Sequence, residues 1–255
     1  GTPIGAIAAE RTLALDITGQ DIFTPLTWIN DIQCRLLLLR YCISSKFLHF
    51  SRTLPPDVSH DCLAWLEEQC RLSLAAMVDY EQLPETTWME ATLPLSYGGL
   101  GLKQMVKQAK FDYFASAASS LAYWRNALAD GHPTLESFKN ITTRSAANLA
   151  DALLACHEMT KEYHDNPIIP EKAKDPANPE ALLPPRKQYR LPKSLPDLLA
   201  SKSPNQSKMQ SALSMTFNTN VFRQIWRSIP ATDTRRIQML AKTSGTPSLD
   251  RKSVV

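Results

Sequence analysis

Apolar residues recur at intervals of three and four along most of the chain, and that period sets the expected elements. Trp28, Ile29, Ile32, Leu36, Leu39 and Ile43 make one such stripe. Thr24 is placed to cap it, with Pro25 in the first turn, where its missing N–H does no harm. Leu37 and Leu38 widen the arc, so this helix is expected to be covered on more than one side. Helix or turn continues over 47–54 and stops at Pro55-Pro56, after which Asp57 or Ser59 can cap a second long helix. Its predicted apolar face is Cys62, Leu63, Leu66, Cys70, Leu74 and Met77, with Glu67, Glu68 and Arg71 on the wet side. A third helix is predicted over 103–128, where Met105, Val106, Ala109, Tyr113, Phe114, Ala117, Leu121 and Trp124 keep the period. The small residues ASAASS within it would let another helix approach closely.

Gly131 and Pro133 end that helix, and 134–138 reads as a short turn. A fourth helix over 143–164 would bury Leu149, Leu153, Cys156 and Met159. Helical spacing returns over 205–229 with Met209, Leu213, Phe217, Val221, Phe222, Ile225 and Trp226, and a last short helix is predicted over 233–242. Strand alternation is nearly absent. The fold class expected is therefore mainly α: a helical bundle with a short extended, glycine-rich hinge and a proline-rich linker.

The hinge is LPLSYGGLGL, 93–102. Pro94 blocks a helix running in from the N-terminal side, while Gly98, Gly99 and Gly101 permit positive φ. Gly99 can also sit against another backbone without a Cβ in the way, and Leu93, Leu95, Leu100 and Leu102 alternate so that a short extended piece can turn leucines into a core. The linker is marked by nine prolines between 166 and 204, which remove amide donors and favour extended backbone. The expected division is a helical domain over 1–164, a linker over 165–204 and a basic helical segment over 205–255.

Charge changes the picture in one respect. The formal net charge is +3, yet from Arg186 to Val255 there are 13 Lys or Arg against three acids, leaving the first 185 residues acidic. A basic C-terminal third points to an anionic partner, most often nucleic acid. The five cysteines lack CxxC spacing, and the pairs Cys34/Cys42 and Cys62/Cys70 lie two helical turns apart, too far to bridge within a helix. They read as buried free thiols of a protein from a reducing, intracellular compartment. No run of about 18 apolar residues is long enough to span a membrane, so no membrane partner is expected.

Residues arranged for catalysis are missing from the sequence. There is no GxxxxGK[ST] phosphate loop, and Gly99 and Gly101 supply only the start of a GxGxxG pattern. His157 and His164 beside Cys156 lack a second ligand pair at zinc-site spacing, so no metal site is assigned. No acidic pair lies between short apolar strands, as two-metal nucleotidyl transfer would require. No residue is assigned a catalytic role.

In order, LLLLRYC at 36–42, RTLPP at 52–56 and LPLSYGGLGL resemble the segment that follows the polymerase core in non-LTR retrotransposon reverse transcriptases. GTPIG at 1–5 looks like the turn at the end of the palm in those proteins, and the stretch 236–247 is similar to a helix and Ser-Gly turn found after a variable linker. The likeness is good to about Trp124 and intermittent from 143 onward. It implies a thumb and the region behind it. A palm with the catalytic aspartates and their magnesium would lie before Gly1; any zinc knuckle and endonuclease would lie after Val255, or be lost in a decayed copy. No cofactor is implied for the fragment itself.

By that resemblance the chain grips template–product nucleic acid, an RNA–DNA duplex or RNA, beside an upstream palm, in a nuclear setting. Arg35, Arg40, Lys46 and Arg52 would hold phosphates, Gly1, Pro3 and Gly5 would position the primer, and Arg223, Arg227, Arg235 and Arg236 near Phe222 and Trp226 would form a second nucleic-acid surface. The alternative is a helical protein-interaction module whose basic tail is incidental.

Overall fold

The computed structural model describes residues 22–46, 48–165, 191–200 and 206–229. These residues are mainly helical. The helices are α1 (Thr24–Thr27), α2 (Ile32–Leu38), α3 (Leu48–Thr53), α4 (Pro56–Met77), α5 (Glu85–Thr92), α6 (Met105–Ala127), α7 (Pro133–Asn140), α8 (Arg144–Asp165), α9 (Leu195–Ala200) and α10 (Gln206–Ser228). A π-helical turn (Leu39–Ile43) and a further helical turn (Ser44–Lys46) connect α2 toward α3.

Helix α6 is the axis of the molecule: α3 and α4 pack on its first half, and α8, α9 and α10 pack against it too. Its residues divide between two apolar cores. Met105 and Ala109 join Leu39, Phe50, Leu63, Leu66 and Trp88 in the N-terminal core. Tyr113, Phe114, Ala118 and Leu121 join the faces of α7 to α10 in the C-terminal core. Ala118 and Ala152 are wholly buried where α6 and α8 meet, the close approach expected of the small-residue run.

Most predicted faces are where the period placed them. All six apolar positions of α4 are buried, as are Leu149, Leu153, Cys156 and Met159 of α8 and the α10 stripe from Met209 to Ile225. Each fully buried Leu or Ile on these faces contributes about 1.5–3 kcal/mol. Neither Asp57 nor Ser59 caps α4: Pro55 stands at the N-cap with Pro56 following, and Asp57 instead meets Arg144 of α8 at 3.2 Å. Glu67, expected in water, accepts from the Val106 N–H at 3.1 Å and from Trp88 Nε1 at 3.2 Å. It thus fills one unpaired donor at the start of α6.

Four expectations need correction. The first long helix is two: Asp31 is extended and its side chain accepts from the Cys34 N–H at 2.7 Å, which restarts the helix at Ile32. Trp28 (75% exposed) and Ile32 (54%) therefore leave the buried stripe. The region 134–138 lies in helix α7, with His132 Nδ1 accepting from Thr134 N–H at its start. The stretch placed in the linker contains α9, whose Leu195, Leu198 and Leu199 fill the C-terminal core. His157 donates Nε2–H to the Pro192 carbonyl at 2.8 Å and fixes the approach to it. Cys34 and Cys42 are exposed, while Cys62, Cys70 and Cys156 are buried. The helix expected over 233–242 and the turn 1–5 lie outside the described residues.

The hinge is a tight turn rather than an extended piece. Pro94 precedes a 3-10 turn (Leu95–Tyr97), and Gly98 and Gly101 take φ of 82° and 75°. Gly99 has a different duty. A Cβ there would lie 2.1 Å from the Leu93 carbonyl oxygen and 2.6 Å from that of Glu90. Leu93 and Leu102 reach the core, but Leu95 is 58% exposed. Amides of Leu100 and Leu102 donate to the Ala91 carbonyl, and Gly101 N–H donates to Leu93 at 2.8 Å, closing the turn on the end of α5.

Candidate nucleic-acid interface

The cations named from sequence fall into different environments. Arg35 is half-buried and its Nε–H donates to the Ile29 carbonyl, so it spans the break between α1 and α2. Arg40 lies in the π-helical turn, half-exposed, with its guanidinium 4.6 Å from the Tyr41 ring centre. Lys46 falls in the turn Ser44–Lys46. Arg52 is half-buried at the end of α3, and its Nε has no hydrogen-bond partner. Arg227 is exposed in the last turn of α10. Arg235 and Arg236 lie outside the described residues.

Arg223 is a correction. It is 4% exposed, donates to the Tyr163 carbonyl at 2.7 Å, and lies 3.9 Å from the centre of the Tyr163 ring. That carbonyl is among the last four of α8, which have no partner inside their own helix, and a cation there also meets the negative end of the helix dipole. Asn220 donates to Met159 O at 3.0 Å one turn earlier, and Gln224 reaches Glu162 at 3.2 Å. The polar side of α10 is therefore a cap for α8. Phe222 is buried against Tyr97 at 5.7 Å between ring centres, so the apolar members of that segment are core.

One cleft gathers charge that sequence reasoning had scattered. Arg40 and Lys103 both line a cavity of about 80 Å³ between the π-helical turn, α3 and the start of α6. Ser44, Ser45 and Ser51 add hydroxyls, and Leu63 and Met105 give it an apolar lining. Lys103 and Ser45 are exposed, so the cavity meets solvent on their side. Ser44 is 3% exposed and its Oγ has no hydrogen-bond partner within the protein. The π turn lies directly before it: the Ser44 N–H donates to Leu39 O, five residues back, a geometry often found at functional sites.

The hinge holds Arg40 in place. A Cβ on Gly101 would come within 2.8 Å of Arg40 Nε and 2.9 Å of Cζ, so the guanidinium lies on bare glycine backbone. On the wall of the same cavity, Asp112 of α6 is 7% exposed, accepts from Ser51 Oγ at 3.0 Å and faces Gln210 Nε2 at 3.5 Å. Burial raises its carboxyl above the usual carboxylate range, against the opposing pull of the Ser51 hydrogen bond and the positive charges of Arg52 and Lys103. With one acid facing Arg40, Lys103 and Arg52, this corner is net cationic.

Sequence reasoning missed Lys103, Ser44, Ser51 and Asp112. Only the leucine–glycine spacing of 93–102 carried a signal, because it marked the turn on which Arg40 rests. Among the described residues no group of three or more His, Cys, Asp or Glu converges as a metal site would need, and no helix is long and apolar enough to cross a membrane. Set against known protein families, curated proteins and solved structures, the chain matches none.

Proposed function

We propose that this chain is a helical, duplex-gripping part of a reverse transcriptase, holding the nucleic-acid backbone for a polymerase centre supplied by other sequence. The reading rests on the resemblance over 36–102, and one observation supports it most: Arg40 and Lys103, distant in sequence, meet at one solvent-reaching cleft. Lys107, exposed one turn further along α6, extends the cationic edge. Such an edge contacts phosphates without reading bases, and each phosphate neutralised releases counterions.

The test is fluorescence anisotropy of an RNA–DNA hybrid titrated with the chain at salt concentrations from about 50 to about 200 mM. Log affinity falling steeply with log salt, and less steeply in the Arg40→Ala/Lys103→Ala double variant, supports the proposal. A flat response in the wild-type chain removes it. A second reading, a protein-interaction module, is favoured by a different surface. Trp28 after α1, Ile32 and Leu37 of α2, and Tyr41 of the π-helical turn are all more than half exposed. If Trp28→Ser together with Ile32→Ser leaves hybrid binding intact, that apolar surface is separate from the cation-lined cleft.

A further inference from the structure

The cavity beside Arg40 has properties that gripping a duplex does not require. Here the lining includes a serine 97% removed from solvent, with its hydroxyl unpaired, and two apolar side chains, Leu63 and Met105. At about 80 Å³ it is well below the roughly 300–1,000 Å³ of sites for drug-sized ligands, so a nucleobase has no room.

Charge and hydrogen bonding define the group it would hold. Two cations, Arg40 and Lys103, line the space, while Arg52 acts on Asp112 of its wall. Ser51 already donates toward Asp112 and Leu48 O, and Ser45 Oγ–H donates to the Tyr41 carbonyl, so those two hydroxyls keep lone pairs but not a free proton. Ser44 alone among the lining hydroxyls has no bonding partner. Asp112 is the acid on the wall, and its two oxygens are turned to Ser51 and Gln210. The site thus offers two positive donors and one buried hydroxyl donor, with Arg40 pre-set on the Gly101 backbone. A planar guanidinium and an ammonium suit a tetrahedral dianion.

We propose that this cavity is a seat for a single phosphomonoester group: two cations balance its two negative charges, and Ser44 Oγ–H donates to one of its oxygens. The seat itself stands apart from the duplex-gripping reading. Where that reading holds, the group's source is the terminal phosphate of a strand; free phosphate or another monoester is the alternative source.

The experiment uses the full chain in two arms. In the first, inorganic phosphate is titrated and amide shifts are followed by NMR, with chloride at matched ionic strength as control. The expected result is saturable shifts confined to 40–45, 51 and 101–108, lost in Arg40→Ala and in Lys103→Ala. In the second arm, an RNA–DNA hybrid in which one strand carries a 5′-phosphate is compared with the same hybrid whose strand ends in a 5′-hydroxyl. Loss of a charge-assisted contact predicts about tenfold tighter binding of the phosphorylated hybrid. Ser44→Ala, checked for its fold by circular dichroism, should reduce that preference about threefold and leave the 5′-hydroxyl hybrid unchanged.

No saturable shift up to about 10 mM phosphate, together with equal affinity for the two hybrids, overturns the seat. Phosphate shifts with no binding of either hybrid keep the seat and overturn the duplex-gripping reading. Binding of both hybrids alike, with no phosphate shift, does the reverse.

Discussion

The two halves of α6 have different polar surroundings. At its C-terminal half Arg223 meets the Tyr163 carbonyl, Asn220 donates to Met159 O while its own Oδ1 is buried without a partner, and Tyr97 meets Thr219 at 3.3 Å. Each tie joins α10 to a neighbour in an otherwise apolar core. At the N-terminal half the hydroxyl of Ser44 and the Nε of Arg52 are buried without a partner, and a cavity lined by cations reaches the surface. Unpaired buried polar atoms cost about 1–3 kcal/mol each and both halves carry them, so what sets the N-terminal half apart is the cation-lined cavity beside them. A basic residue is informative only with its surroundings: Arg40 and Arg223 look alike in sequence, but one lines a solvent-reaching cleft and the other caps a helix.

The largest expected effect sits at the junction between the halves. Gly99→Ala places a methyl group against two backbone carbonyls that cannot move aside, and should cost about 4 kcal/mol or more in urea-unfolding free energy. A loss below about 1 kcal/mol would show that the hinge is looser than the contact between 93 and 99 implies.

Next comes the direct contrast of the two arginines. Arg223→Ala should cost about 3 kcal/mol by urea unfolding, because it removes the hydrogen bond to the Tyr163 carbonyl and leaves a void against the Tyr163 ring. Arg40→Ala should cost under about 1 kcal/mol, since its group is half-exposed and stacked only on Tyr41 and Gly101. Equal costs would erase the distinction between a structural and a site arginine. Gly101→Ala is smaller but tells more. Alanine at φ 75° is strained by about 1 kcal/mol, and its methyl pushes Arg40 off its rest, so hybrid affinity should fall together with stability.

The smallest effect is on pH. Asp112 has a carboxyl raised above 3.8 by burial, so the folded state holds a proton that the unfolded state has already released. Stability from this group is present below the unfolded value and is lost as pH rises through the raised folded value. Asp112→Asn should flatten that descent in urea titrations run across the acid range, and an unchanged slope would mean another carboxyl governs it.

How much of this was legible in the sequence follows from how local each signal is. The faces of α4, α8 and α10 were readable because burial on one side of a helix repeats every three or four residues and nothing interrupts it. The break at Asp31 was not, because the apolar period runs on through it. Its signal was a capping aspartate three residues before Cys34, weaker than the stripe around it. The burial of Arg223 was hidden for another reason: α10 is enclosed by α5, α6 and α8, so even its polar side faces protein. The cleft was the least legible feature. Ser44, Lys103 and Asp112 sit on three elements brought together only by packing on α6. The hinge was half readable: its glycines were identified, but their separate duties, clearance from backbone at 99 and clearance from Arg40 at 101, needed the neighbours in place.

Under the proposed function, the Arg40–Lys103 corner, and not basic charge in general, contacts the nucleic-acid backbone. The most direct measurement is the salt dependence of RNA–DNA hybrid affinity for the wild-type chain, for Arg40→Ala/Lys103→Ala and for Arg227→Ala, an exposed arginine at the far core. The double variant is expected to lower the slope of log affinity against log salt by about 2, and Arg227→Ala to leave it within about 0.5 of wild type. A slope that drops equally for both, or for neither, would contradict it.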